Sequence, residues 1–314
     1  MAERYPPIEP YDSGMLPVGD GHCIYWETVG SPEGTPAVYL HGGPGGGISP
    51  GSRRIFDPTR YRAVLFDQRG CGRSTPSVTS PDADLSTNTT EHLIADIERL
   101  RDCLGIDRWV VVGVSWGVTL ALVYAQRHPE RVRAMVVAAV TAGTQREIDW
   151  ITRDVGRIFP EEWERFASYA GVERDLPAAY ARLLAGPDPA ARARAAQEWC
   201  RWEDAHISLT PGWQPTLQNA DPDFQLTFAR LVTHYWSNRC FLSEDEVFTN
   251  LHRLHEISAV MIHGRRDVSG PLDTAWRLHR GWPSSRLVVL EDAGHGGDSM
   301  GDALVAACDD VVRA

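Results

Sequence analysis

Gly113-Val114-Ser115-Trp116-Gly117 directly follows Trp109-Val110-Val111-Val112, and the reading of this junction decides the fold. A serine with glycine two residues to either side, after an apolar strand and before a helix, fits a sharp strand-to-helix turn that exposes its hydroxyl. The glycines let neighbouring backbone pass close to the turn. The N-terminus of the helix that follows favours a developing negative charge. Ser115 is therefore the expected nucleophile. The alternative is a chance pentapeptide, and the strand before it and the helix after it speak against that.

Working outward, similar apolar runs recur at Ala37–Leu40, Ala63–Phe66, Ala134–Val137, Ala259–Ile262 and Leu287–Leu290. Continuous runs of this length suit strands covered on both faces, hence a mostly parallel central sheet flanked by helices. Cys23 to Thr28 reads as an additional early strand, antiparallel and near an edge. Leu93, Ile97, Leu100 and Leu104 repeat at helical spacing behind the capping residues Asn88 and Thr89. A second helix runs from Trp116 toward Arg127 and stops before Pro129. From about Thr144 to Asn250 the strand pattern vanishes. Amphipathic, tryptophan-rich stretches replace it, punctuated by Pro187, Pro189, Pro211, Pro215 and Pro222. The expected organisation is an α/β core over 1–143 and 251–314 with an inserted helical cap over 144–250. Such an insertion would cover the carboxyl edge of the sheet, where ligands bind in open α/β folds.

Bulk properties agree. At 314 residues the chain suits one domain with an insertion. Its 43% hydrophobic and 23% charged residues are near the globular average. No apolar run reaches the roughly 18 residues of a membrane span. The N-terminal stretch lacks a signal-peptide pattern, so a cytoplasmic enzyme is expected. A net charge of −11 argues against a nucleic-acid partner. All 31 basic residues are arginine, which removes Schiff-base chemistry and a phosphate-loop lysine. The six cysteines show no C-x-x-C spacing, so neither a metal nor a redox site is expected.

The remaining chemistry gathers at strand ends. His41-Gly42-Gly43-Pro44-Gly45-Gly46-Gly47 follows Leu40. It can present bare backbone N–H groups to an oxyanion, with Gly43 as one donor and the N–H of Trp116 as the other. A phosphate-binding loop is excluded by the missing lysine and by the absence of a G-x-G-x-x-G helix opening. In the α/β-hydrolase fold a serine is followed in the chain by its acid and then its histidine. His295 lies just after the last strand and Asp267 just after the strand before it. Asp292 and Asp273 are weaker candidates for the acid. His41 and His263, each at a strand end beside glycine, are expected to be structural. Asp67 to Ser74 is expected to brace the loop beside the site.

These strings resemble the proline iminopeptidases of the α/β-hydrolase superfamily over nearly the whole chain. The resemblance rests on Gly19–His22 with Ile24–Glu27, His41–Gly47, Phe66–Ser74, Ser115–Gly117, Tyr124–Val132 and His263–Arg265 before Asp267. It implies a helical cap, no cofactor, and removal of an N-terminal proline from a peptide. It also implies that cap acids bind the substrate's free amine. Trp202-Glu203 resembles the family's Trp-Glu pair, so both enter the expected substrate site. In the second acidic stretch Val232 stands where the family has a carboxylate. Thr141 stands where the family has an aromatic residue of the proline pocket. The machinery matches and the specificity pocket departs.

The expected mechanism is an acyl-enzyme route: Ser115 attacks, His295 carries the proton and Asp267 orients His295. A small peptide or small-molecule amide or ester is the expected partner. Three functions follow from this reading: a proline-iminopeptidase-like aminopeptidase; an amidase, esterase or acyltransferase on a specialised small molecule; and a non-catalytic binding module on the same fold. The oligomeric state is not encoded in any motif.

Overall fold

The apolar runs become strands of one eight-stranded sheet: β1 (Asp12–Gly19), β2 (His22–Gly30), β3 (Thr35–Leu40), β4 (Tyr61–Phe66), β5 (Trp109–Val114), β6 (Val132–Ala138), β7 (Ser258–Gly264) and β8 (Ser285–Leu290). The computed structural model describes residues 4–80, 82–171, 174–207, 209 and 213–313. Strand order is β1-β2-β4-β3-β5-β6-β7-β8. The β1–β2 and β2–β4 pairs are antiparallel and every other pair is parallel. Cys23–Thr28 falls inside β2, one strand in from the edge. The edge strand β1 has no counterpart in the sequence reading. Most of its residues are exposed, and Gly14 and Pro17 interrupt it, which an edge position tolerates.

The helices are α1 (Pro50–Arg53), α2 (Thr90–Cys103), α3 (Trp116–Arg127), α4 (Gln145–Thr152), α5 (Pro160–Ala170), α6 (Leu176–Leu184), α7 (Pro189–His206), α8 (Pro222–Ser237), α9 (Glu246–Thr249), α10 (Asp273–Gly281) and α11 (Asp298–Arg313). Alternate strand residues feed two cores. Val38, Leu40, Val64, Phe66 and Val111 pack with Leu93 and Ile97 of α2 and Leu122 of α3. Ala37, Tyr39, Leu65, Val110 and Val112 pack with Leu304 and Cys308 of α11. Burial of each large aliphatic side chain contributes about 1.5–3 kcal/mol, so the sheet is a rigid platform.

Strand order reverses at β3, which has β4 on one side and β5 on the other. The loops after β3 and β5 therefore flank the crevice where ligands bind in open α/β sheets. Between β6 and β7 the regular elements among the described residues are all helical, α4 to α9 with short 3₁₀ turns. Their own core is aromatic: Phe166 stacks on Tyr180 at 4.6 Å and on Trp202 at 5.2 Å, with Trp199 edge-on at 5.4 Å. Asp221 caps α8 through the N–H groups of Asp223 and Phe224. Tyr235 then ties α8 to the sheet side, its hydroxyl donating to Asn88 Oδ1 at 2.7 Å. Among the described residues no helix is long and apolar enough to cross a membrane.

Candidate active site

Ser115 sits between β5 and α3 with φ 56° and ψ −123°. This is an unfavourable region for a residue with a side chain, and such strain persists only where the surroundings enforce it. They do so here. A Cβ on Gly117 would lie 2.0 Å from the Leu40 carbonyl oxygen, so only glycine lets α3 start this close to β3. The Ser115 N–H donates to Ala138 O at 3.0 Å, and Thr141 Oγ1 donates to Ser115 O at 2.9 Å.

Two loops at the same sheet edge bring up the partners. His295 lies between β8 and α11, and Asp267 between β7 and α10. The Arg266 N–H donates to Ala293 O at 2.9 Å and holds these loops together. Ser115 Oγ donates to His295 Nε2 at 2.9 Å, and His295 Nδ1 donates to Asp267 Oδ2 at 2.8 Å. The other Asp267 oxygen accepts from the Gly270 N–H at 2.8 Å. Burial disfavours the imidazolium, but Asp267 and Glu203 outweigh it and raise the His295 pKa above its ordinary value. Asp292 and Asp273 point elsewhere and pair with Arg266 and Arg146.

His41 and His263 are buried and bonded to backbone. His263 Nδ1 accepts from the Val140 N–H at 3.0 Å and its Nε2 donates to Gly270 O at 2.7 Å. Asp67 accepts from the N–H groups of Ile48 and Arg73, and so braces the glycine-rich loop. Gly43 and Trp116 both border the cavity above Ser115. Trp116 opens α3, so its N–H has no acceptor within the helix. Neither N–H makes a hydrogen bond among the described residues.

The cavity measures about 270 Å³ and reaches from Ser115 and His295 to the end of α7. Ile148, Ile151, Ile207, Leu217, Phe228 and Trp236 give it apolar walls. Thr141 and Glu203 line it; Trp202 and Val232 do not. Helical phase explains the correction. Trp202 turns into the aromatic stack and donates to Ile151 O at 3.0 Å, and Val232 is fully buried in the same cluster.

Glu203 differs from the other acids of the cavity. Its Oε1 is buried without a hydrogen-bond partner among the described residues. Burial, opposed chiefly by His295, pushes its pKa up to about 7. Glu147 bonds the N–H groups of Ala142 and Thr144, and Asp204 bonds those of Thr216, Leu217 and Gln218. Both are fully engaged as braces. Thr144-x-x-Glu147 is a readable capping-box signal; the role of Asp204 has no local signal. Sequence reasoning also missed His206, which is buried 3.8 Å from Glu203 with both ring nitrogens unpartnered among the described residues. Burial and the nearby His295 push its pKa down to about 3. Among the described residues no group of three or more His, Cys, Asp or Glu side chains could hold a metal ion.

A hydrogen-bonded Ser-His-Asp chain beside two backbone N–H groups that have no acceptor among the described residues can perform acyl transfer. Comparison with known proteins agrees. The alpha/beta hydrolase fold family matches residues 35–297. A probable proline iminopeptidase of Streptomyces coelicolor is 53% identical over 98% of both chains. A proline iminopeptidase of Xylella fastidiosa is 45% identical over 99% of this chain and all of its own. The crystal structure of a Mycobacterium smegmatis proline iminopeptidase superposes with a TM-score of 0.66 at 20% identity, covering 96% of this chain and 99% of that one, a likeness of fold. The chain belongs to the α/β-hydrolase family and, within it, to the proline iminopeptidase family.

Proposed function

We propose that this serine hydrolase is an aminopeptidase that releases the N-terminal residue of a small peptide through an acyl-enzyme on Ser115. The observation that carries the reading is the hydrogen-bonded chain from Ser115 Oγ through His295 to Asp267, opening on a cavity bordered by Glu203, whose Oε1 has no hydrogen-bond partner among the described residues. Ser115 Oγ bonds to the substrate carbonyl carbon while its proton passes to His295 Nε2. Asp267 stabilises the imidazolium and holds its tautomer. The N–H groups of Gly43 and Trp116 receive the oxyanion. His295 returns the proton to the leaving amine, then draws one from the water that frees the acyl group. Glu203 receives the substrate's ammonium, which must be paired in so enclosed a place.

The proposed organisation is a core of 1–143 and 251–314 carrying the chemistry and a cap of 144–250 carrying recognition. The proposed location is the cytoplasm, consistent with six cysteines that form no disulfide. No nucleic acid is proposed as partner, given the charge of −11. A second reading, an amidase, esterase or acyltransferase on a specialised small molecule, is favoured by the apolar walls and by Thr141. Steady-state kinetics on prolyl and alanyl p-nitroanilides, their N-blocked forms and simple esters decide between the two. A prolyl kcat/KM above about 10⁴ M⁻¹s⁻¹, the low end of ordinary efficiency, establishes the first. Preference for blocked or ester substrates establishes the second.

A further inference from the structure

We propose that Gln68 is a positioning residue that locks together the two arms of the oxyanion hole; the proposal rests on the Ser115 reading above. Gln68 is 2% exposed and does not border the cavity, so it cannot touch substrate. Its side chain instead spans the two structures that supply the donors. Gln68 Nε2 donates to the His41 carbonyl at 3.1 Å, at the start of the loop that carries Gly43. Gln68 Oε1 accepts from the Trp116 indole Nε1–H at 3.0 Å, on the residue whose backbone is the second donor. An indole N–H only donates and a carbonyl only accepts, so a single amide orientation satisfies both. Among the described residues no other side chain bonds both arms.

The backbone of Gln68 adds a second lock. Its N–H donates to His41 Nε2 at 3.0 Å. Burial lowers the His41 pKa and keeps the ring neutral. His41 Nδ1 lies 2.9 Å from Gly42 O and 3.2 Å from the Gly47 N, so the ring is also held against the glycine-rich loop itself. The loop tolerates little movement, because a Cβ on Gly42 would already lie 3.3 Å from Ser115 Cβ.

The consequence falls on one step. When Ser115 Oγ bonds to the carbonyl carbon, the π pair moves onto oxygen and the serine proton moves to His295. The new charge is stabilised only by donors about 2.7–3.1 Å away. A misplacement of about 1 Å costs about 10²-fold. Losing the amide frees the arms to drift independently while substrate binding before attack is unchanged.

Gln68→Ala and Trp116→Phe test this, the second removing only the indole N–H and leaving the backbone donor. Wild-type labelling at Ser115 by a fluorophosphonate and arylamide turnover come first; no labelling overturns the Ser115 reading and this proposal with it, whereas labelling without arylamide turnover overturns only the aminopeptidase reading and leaves aldehyde affinity to decide this one. For Gln68→Ala the expected kcat loss is about 10- to 100-fold, below that of deleting a donor outright, with KM within about threefold. Affinity for a peptide aldehyde, which forms a tetrahedral adduct with the serine, should fall by the same factor as kcat/KM. The acid limb of the pH profile should not move. Trp116→Phe should show a smaller loss of the same kind, and the double variant should be no worse than Gln68→Ala. Additive losses, or a kcat and aldehyde affinity unchanged in Gln68→Ala, overturn the proposal. If circular dichroism finds Gln68→Ala unfolded, Trp116→Phe decides alone: unchanged kcat and aldehyde affinity overturn it.

Discussion

The sheet side of the molecule and the helices between β6 and β7 treat their buried polar groups differently. Around Ser115 the side chains satisfy one another, and the backbone N–H groups of Gly43 and Trp116 are left without an acceptor among the described residues. His41, Gln68, His263 and Asp267 all have partners among the described residues. Among the described residues the buried side-chain atoms of the sheet side without a partner belong to His22, Arg62 and Arg131, none of which borders the cavity. In the helical segment, among the described residues, the unpartnered atoms belong to Arg165, Arg192, Trp199, Glu203, His206 (both ring nitrogens) and Trp213, and of these Glu203 and Trp213 border the cavity. Buried polar groups are normally paired. The difference supports the division proposed above, in which the chemistry is preassembled and recognition is completed by a ligand.

The sharpest way to break this comparison is to remove the preassembled part. Ser115→Ala should lower kcat by about 10⁴-fold or more while leaving the fold intact. Circular dichroism and arylamide turnover on pure protein check this, and retention of a tenth of wild-type activity would refute it. Asp267→Asn should cost somewhat less, about 10³- to 10⁴-fold, because the amide favours the wrong His295 tautomer. Asp292→Asn should do nothing measurable, since Asp292 faces solvent beside Arg266.

Substitutions in the helical segment should act on substrate choice instead. Glu203→Gln is expected to reduce kcat/KM by about 10- to 100-fold on free-amine substrates, the size of a lost charge-assisted contact. N-blocked substrates should be unaffected. Equal loss on both classes would mean that Glu203 serves the triad rather than the amine.

How far each half could be read from sequence follows the same division. Strands covered on both faces read as apolar runs, so β3 to β7 were legible, and β8, a half-buried edge strand, was legible through Leu287–Leu290. β1 was not, because its exposed residues, Gly14 and Pro17 carry no such pattern. Ser115, His295 and Asp267 were legible because each follows a strand directly and shares one sheet edge. Trp202 and Val232 were misplaced because the wall of a cavity depends on the phase and packing of α7 and α8. Their residue types say only that they are apolar. Asp204 was invisible for a related reason: its partners are backbone N–H groups 12 to 14 residues away.

The two regions meet electrostatically, and pH can sharpen that contact. His295 must be neutral to accept the Ser115 proton, and its pKa is raised by Asp267 and Glu203. Activity is therefore lost as pH falls through this raised value, so the acid limb of kcat/KM should lie above about 6.5, the ordinary value for histidine. Glu203→Gln removes one of the negative charges and should move the limb down. Free-amine substrates should also need ionised Glu203, whose pKa is about 7, and so show a steeper limb than blocked esters. A limb that stays in place in Glu203→Gln would uncouple the two regions.

The smallest effect is expected at Asp204, and it tests whether the cavity wall is itself held by the chain. Asp204 is buried and accepts from the N–H groups of Thr216 and Leu217 at 3.1 Å and Gln218 at 2.7 Å. Thr216 and Leu217 border the cavity, and Gln225 Nε2 donates to Leu217 O at 2.9 Å from α8. The wall is thus pinned from α7 and α8 together. Asp204→Asn keeps the size of the side chain but turns one acceptor into a donor that faces N–H groups. Hydrogen bonds to a charged group contribute about 1.5–3 kcal/mol, and one acceptor oxygen remains. KM should therefore rise by about three- to tenfold, with kcat within about twofold because no atom of the triad moves. Hydrogen exchange should quicken at Thr216–Gln218 and stay unchanged at Val110–Val112 in β5. A kcat loss larger than the KM rise would show that this wall, like Gln68, acts on the reacting atoms, and the division between preassembled chemistry and open recognition would have to be redrawn at α7.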